Sequence, residues 1–211
     1  LWDKSASGSH EVRGKTLGII GYGNIGSQLS VLAEALGMRV LQTDPPLARQ
    51  TGDPRFRPLD DLLAADFLTF HTPLTRQGSD ATYHLADEAL LRRLRDDAVV
   101  INTARGPVVA NEPLRVSLAE GWLGGAVLDV WEHEPLVDLD LLDRADLGTP
   151  HIAGYSFNGK VAATAMIYHA ACEFLGVEPS WSPVGALPQP PVPSLDLDCS
   201  GQTDEEVIRT A

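Results

Sequence analysis

The apolar positions of this chain come in short runs that alternate between two periods. Thr16-Leu17-Gly18-Ile19-Ile20 is a continuous, partly β-branched run, the pattern of a strand buried on both faces. Directly after it Ile25, Leu29, Leu32 and Leu36 recur at helical spacing, with Gly37 where a C-terminal cap belongs. Met38 to Thr43 predicts a second strand, ended at Asp44 and stopped by Pro45-Pro46. The alternation then continues with a helix over 59–65, a strand over 67–71, a helix over 87–94 and a strand over 98–102. A helix over 111–120 and a strand over 125–130 follow, then an acid-rich loop across 131–145. Leu147 to Pro150 lead to His151, and a long Ala-rich helix over 159–175 is closed by Gly176. Such strict alternation predicts an α/β fold, a doubly wound, Rossmann-type parallel sheet covered on both faces. From Pro179 onward the periodicity stops and prolines crowd the chain, the composition of a linker or docking arm. The expected division is a sheet domain over 1–176 and, over 177–211, a Pro-rich arm with the start of a further domain.

Composition narrows the function classes. The chain has 211 residues, 44% hydrophobic and 21% charged, an ordinary globular balance that excludes global disorder and fibrous repeats. Lys and Arg total 16 against 29 Asp and Glu, a net charge of -13, so a phosphate backbone would be repelled and no nucleic-acid partner is expected. No apolar run approaches the roughly 18–20 residues of a membrane span, and no membrane partner is expected. Cys172 and Cys199 fit neither a disulfide framework nor a metal spacing, so no metal and a reducing, cytoplasmic setting are expected. The chain opens on Leu1-Trp2-Asp3 without an initiator Met and is read as a piece of a longer protein.

Three constellations carry candidate chemistry. The first is Gly21-Tyr22-Gly23-Asn24-Ile25-Gly26, between the first strand and the first helix. In that context Gly21 permits a tight turn, Gly23 lets backbone approach a pyrophosphate, and Gly26 allows close packing of helix on strand. The helix N-terminus offers free amides and a partial positive charge to the anion. Asp44, 18 residues after Gly26, ends the next strand, where a carboxylate can accept both ribose hydroxyls and repel a 2′-phosphate, favouring NAD over NADP. The competing reading is a structural turn followed by a surface acid. The second constellation is Thr103-Ala104-Arg105-Gly106, just past a strand, where an Arg fork suits a carboxylate; a solvated surface Arg is the alternative. The third joins Asp129-Val130-Trp131-Glu132-His133-Glu134-Pro135 to His151, an imidazole with an acid to orient it. Spacing alone does not pair Glu134 with His151, and Glu132, His133 and His169 compete for these roles.

Taken together, these residues resemble the D-isomer-specific 2-hydroxyacid dehydrogenase family. The resemblance runs from Trp2 to about Gly176. From Asp44 onward it points to the branch acting on 4-phosphoerythronate, through DPP at 44–46, LTFHTPL at 68–74, HLADEALL at 84–91, INTARGPVV at 101–109, LDVWEHEP at 128–135 and HIAGYSFNGK at 151–160. Residues 2–40, with WDKSASGSHEVRGKTLGIIGYGNIGSQL, look closer to the branch acting on D-3-phosphoglycerate.

The resemblance implies the cofactor-binding half of a two-domain oxidoreductase. Such an enzyme transfers a hydride between NAD and a small phosphorylated D-2-hydroxy acid, 4-phospho-D-erythronate of pyridoxal phosphate biosynthesis in first place. D-3-phosphoglycerate, or a non-catalytic NADH-binding module, are the rivals. By the same resemblance Arg105 would hold the substrate carboxylate, His151 would take the hydroxyl proton, and Glu134 would orient His151. The dinucleotide would be held by Gly21, Gly23, Asn24, Ile25, Gly26, Asp44, Thr72, Thr103, Ala104, Arg105, Asp129 and Gly154, with Tyr155 on the substrate. The helix over 159–175 would cross to a substrate lobe, the full-length protein would be a homodimer, and NAD binding with weak or no turnover is expected of this chain alone.

Overall fold

The computed structural model describes residues 11–183, and the chain divides into two compact units between Ala153 and Gly154. In the first unit six strands form one parallel sheet: β1 (Thr16–Ile20), β2 (Arg39–Thr43), β3 (Phe67–Phe70), β4 (Val99–Asn102), β5 (Gly125–Leu128) and β6 (Leu147–Gly148). Their order is β2-β1-β3-β4-β5-β6. Ile20 of β1 is in register with Thr43 of β2 on one side and with Phe70 of β3 on the other. The winding therefore reverses at β1, and an open sheet leaves a crevice outside the carboxyl ends of its strands at such a point.

Strand alternation separates two cores. Leu17 and Ile19 point to one face and pack with Ala33 and Leu29 of α1 (Asn24–Ala35). Ile20 points to the other face and joins Leu68, Phe70, Val100, Leu114, Leu128 and Leu141, beneath α3 (Glu88–Leu91), α4 (Asn111–Ala119) and α5 (Leu139–Arg144).

The expected alternation is realised, with five corrections. Pro45-Pro46 do not merely stop β2. They open α2 (Pro45–Thr51), because Pro is tolerated in a first helical turn and Asp44 caps it by accepting from Leu47 N at 3.0 Å. The helix expected over 59–65 is a tighter 3-10 turn, Leu59–Leu62, and that over 87–94 shortens to α3. The acid-rich loop contains α5: Asp138 caps it from two backbone amides, and Leu141 is fully buried. β6 has only two residues, too few for a period to register, yet it closes the sheet by pairing with Val127 and Leu128.

The second unit carries α6 (Phe157–Leu175), two residues longer than expected because Ser156 accepts from Gly159 N and caps it early. Gly176 ends it in the left-handed conformation, φ 65°. The Tyr168 hydroxyl then accepts from Ser180 N and Trp181 N at 2.8 and 3.0 Å, fastening the first residues after the helix to it. The remainder of the expected Pro-rich arm, from residue 184, and Cys199 lie outside the described residues, as do residues 1–10.

Candidate cofactor and catalytic site

The candidate residues of the first unit sit at one edge of the sheet. Gly21 follows β1, Asp44 follows β2, Thr72 lies just past β3, Thr103 to Arg105 follow β4, Asp129 follows β5 and His151 lies just past β6. Parallel strands put all six carboxyl ends on the same side, so residues far apart in sequence share one rim.

The three glycines differ in what demands them. Gly21 has φ +92°, and a Cβ there would lie 2.6 Å from His71 O. A Cβ on Gly26 would lie 2.1 Å from Gly21 O, so the turn and α1 are in backbone contact. Around Gly23 an added Cβ would meet nothing within 4 Å, although this residue is the N-cap of α1 and lines a cavity of about 440 Å³. Packing within the protein does not require a glycine there; an approaching ligand backbone or anion does. Asp44 braces this turn as well as α2, since its second oxygen accepts from Tyr22 N at 2.9 Å.

The same cavity is lined by Gly21, Asp44, Pro45, His71 and Thr72. The Thr72 hydroxyl oxygen is buried with no hydrogen-bond partner among the described residues. A buried hydroxyl left unpaired costs about 1–3 kcal/mol, which a ligand donor or acceptor would recover. A rim of exposed helix amides, a carboxylate, apolar prolines and one orphaned hydroxyl fits the phosphate, ribose and base of a dinucleotide. Thr72→Val is therefore expected to leave thermal stability equal or raised while weakening NADH binding about tenfold, measured by calorimetry. His71, not singled out from the sequence, borders this cavity too. Its Nε2 lies 3.0 Å from Thr69 Oγ1, and burial pushes its imidazole down, favouring the neutral ring. Its position in the HTP segment after β3 is the only sequence signal for it.

Past β4, the fully buried Asn102 organises the Arg105 loop. Its Oδ1 accepts from Ala104 N at 3.1 Å and its Nδ2 donates to Arg105 O at 3.0 Å. Asn102 was missed, although an Asn between a strand and a tight turn is the residue type that makes such local bonds. The Arg105 guanidinium is exposed and donates to Ala104 O at 2.6 Å. A Cβ on Gly106 would lie 1.9 Å from Trp131 O, so the loops after β4 and β5 touch backbone to backbone.

The loop after β5 meets the one after β6. His151 Nδ1 lies 2.8 Å from Glu134 Oε2, and the other carboxylate oxygen of Glu134 accepts from Trp131 N at 2.8 Å. An ionised carboxylate only accepts, so the Nδ1 proton faces Glu134 and Nε2 is left as the ring's acceptor. The side chains are 44% and 33% exposed, within reach of a ligand. The competitors are engaged elsewhere. Glu132 is bonded to His84 Nε2 and to Asn111 N, His133 borders a separate cavity with Tyr83 and Asp87, and His169 lies edge-on to Tyr168 in the second unit.

His151 has φ 55°, an uncommon conformation for a residue with a side chain, and Asp129 maintains it. Its backbone N–H donates to Asp129 O at 2.8 Å, while the Asp129 carboxylate accepts from Thr149 Oγ1, Ile152 N and Ala153 N at 2.6, 2.7 and 2.9 Å. Burial alone would raise Asp129, but these hydrogen bonds outweigh it and hold the carboxyl below its ordinary range. A depressed folded pKa means stability that is complete above the unfolded value and lost as pH falls through the folded one. Asp129→Asn is expected to cost about 2 kcal/mol near neutral pH. The gap from the parent should narrow below about pH 4 in urea titrations repeated across pH.

Gly154, φ +78°, and Tyr155 belong to the second unit. There Lys160 Nζ lies 3.5 Å from the Tyr155 ring centre, and the neighbouring ammonium pushes that hydroxyl's pKa down. Among the described residues no group of three or more His, Cys, Asp or Glu could hold a metal ion, and no helix is long and apolar enough to cross a membrane.

Known proteins resemble this chain in sequence and in fold. An erythronate-4-phosphate dehydrogenase of Cronobacter sakazakii is 45% identical over 196 residues, covering 92% of this chain and 51% of that protein. One from Yersinia enterocolitica is 46% identical over 200 residues, 94% of this chain and 53% of that protein. The chain thus spans about half the length of the curated relatives it matches. Among solved structures, the D-lactate dehydrogenase of Aquifex aeolicus complexed with NAD and lactic acid superposes with a TM-score of 0.67 at 28% identity, covering 83% of this chain and 57% of that one. The model of the D-isomer specific 2-hydroxyacid dehydrogenase NAD binding domain matches residues 1–153, the unit that bears the glycine turn, Asp44, Arg105, Glu134 and His151. This chain belongs to the D-isomer-specific 2-hydroxyacid dehydrogenase family, through its NAD-binding domain.

Proposed function

We propose that this chain is the cofactor-binding and proton-transferring part of an NAD-dependent dehydrogenase of phosphorylated D-2-hydroxy acids, with 4-phospho-D-erythronate as substrate. The observation that carries the reading is the His151–Glu134 hydrogen bond, 2.8 Å, on the rim shared with the dinucleotide cavity. Bound NAD supplies the hydride acceptor. The α1 amides at Asn24 and Ile25 take the pyrophosphate and Asp44 the adenosine ribose, with Thr72, Thr103, Ala104, Asp129 and Gly154 completing the contacts.

His151 Nε2 accepts the C2 hydroxyl proton as the C2–H bond gives up its hydride. Glu134 stabilises the imidazolium so formed and keeps the ring in the tautomer that exposes Nε2. Arg105, exposed at its loop, grips the substrate carboxylate with a planar fork, which aligns C2 and draws charge from its oxygen. The family resemblance assigns Tyr155 to the phosphorylated substrate.

The substrate branch rests on the similarity to the erythronate-4-phosphate dehydrogenases. The D-3-phosphoglycerate reading is favoured by residues 2–40 alone. Side-by-side assays of NADH formation with the two acids separate them. Turnover of 4-phospho-D-erythronate at the higher kcat/KM is expected, and a preference for D-3-phosphoglycerate would overturn the assignment. An NADH-binding module without catalysis has no use for an oriented His–Glu pair, and would bind NADH identically after His151→Ala with no turnover in either form.

A further inference from the structure

The dinucleotide cavity contains a cation that the proposed reaction does not use. Arg49, in the last turn of α2, is the one Arg or Lys that lines it among the described residues. Across the cavity, in the segment between β3 and α3, Asp80 also lines it, and its carboxylate is ion-paired with the Arg49 guanidinium. The segment bearing Asp80 is tied into a compact turn. Thr75 Oγ1 donates to Asp80 O at 2.9 Å, and Thr75 N donates to Thr82 Oγ1 at 2.8 Å. Asp80 is thereby presented to α2 by a folded loop, and Arg49 meets a carboxylate before any ligand arrives.

NADP differs from NAD by a phosphate on the adenosine ribose, which adds up to two negative charges. Its recognition needs a guanidinium or ammonium free to bond the phosphate oxygens, and it suffers from nearby carboxylates. Asp44 provides the second effect. The first requires an available cation, and the one that lines this cavity among the described residues is already ion-paired.

We propose that Asp80 is a specificity-determining residue for the cofactor: by pairing with Arg49 it withholds from a 2′-phosphate the one cation that lines this cavity among the described residues. This deepens the cofactor reading and rests on it. Discrimination against NADP then has two separable parts, repulsion by Asp44 and withdrawal of Arg49 by Asp80.

The test measures binding by calorimetry with NADH and NADPH, on the parent, Asp44→Ser, Asp44→Ser/Asp80→Asn and the same double variant with Arg49→Gln. Serine at 44 keeps a helix-capping hydroxyl while removing the charge. Adding Asp80→Asn to Asp44→Ser is expected to tighten NADPH about tenfold, with NADH changed less than about twofold, because removing one carboxylate frees one guanidinium. Arg49→Gln should erase that gain. An NADPH affinity indifferent to Asp80→Asn, or a gain that survives Arg49→Gln, overturns the proposal while leaving NADH binding and the cofactor reading intact. A folded parent that binds neither dinucleotide overturns the cofactor reading and the proposal together.

Discussion

Gly26→Ala is expected to destabilise the first unit by about 2–3 kcal/mol and to abolish measurable NADH binding. A methyl group there would lie 2.1 Å from Gly21 O and 3.2 Å from the side chain of Ile19, a strand residue with no exposed surface. Neither neighbour can yield easily. Gly21 is fixed by its own bond to Thr43 O, 2.9 Å, and by its tight approach to His71, while Ile19 is locked between β2 and β3. Relief must come from moving α1 away from the turn, which displaces the amides that would hold a pyrophosphate. Gly23→Ala is the control. Its Cβ would enter open space, so stability should hold within about 1 kcal/mol, the usual Gly-to-Ala effect, while NADH affinity drops. Urea denaturation and calorimetry on both variants check the pair, and equal losses of stability would contradict the distinct roles assigned to the two glycines.

In a protein that carries the substrate lobe as well, His151→Ala should lower kcat on the phosphorylated D-2-hydroxy acid by about 10²–10⁴-fold, the range for removing a general base, with NADH affinity within about twofold of the parent. Glu134→Gln should reduce kcat less, because an amide can still bond the ring but cannot balance the charge that forms on it. It also removes an acceptor from the segment, since one Glu134 oxygen receives Trp131 N at 2.8 Å, and the amide oxygen of Gln can serve only one of these two bonds well. The kcat of His151→Ala is the discriminating measurement: an unchanged kcat would mean that another group takes the proton. Arg105→Lys, which keeps the charge and loses the fork, should raise KM for the acid more than it lowers kcat.

Much of this site is legible before any coordinates. The glycine turn could be assigned because its three glycines follow an unmistakable strand at the start of an amphipathic helix, and Gly21 and Gly26 each answer a local steric demand. Five of the six strands could be counted because each is a short apolar run between polar punctuation; β6, with two residues, could not. The misreadings come from competition between local signals. Pro45-Pro46 can end a strand or begin a helix, and Asp44 decided for the helix by capping Leu47. The acids at 131–145 suggested a loop, but Asp138 and Asp140 favour a helix N-terminus, and Leu141 supplied the buried contact. His71 and Asn102 escaped notice because their importance lies in what surrounds them. One borders the cavity beside an orphaned hydroxyl, and the other has its amide buried beneath a loop.

The sequence by itself determined the alternation of strands and helices, the turn that receives an anion, and the acid, arginine and histidine at the ends of strands. These depend on residue type and on neighbours a few positions away. Only the tertiary structure decided which histidine meets which carboxylate. Glu134 and His151 are 17 residues apart, and it is the pairing of β6 with β5, together with Asp129 bonded to Ile152 and Ala153, that brings them within 2.8 Å. The same holds for Arg49 and Asp80, 31 residues apart, whose pairing follows from the folded loop after β3. Partner choice across a sheet rim depends on strand order and register. These arise when the whole core packs at once, so they leave no local trace in the chain.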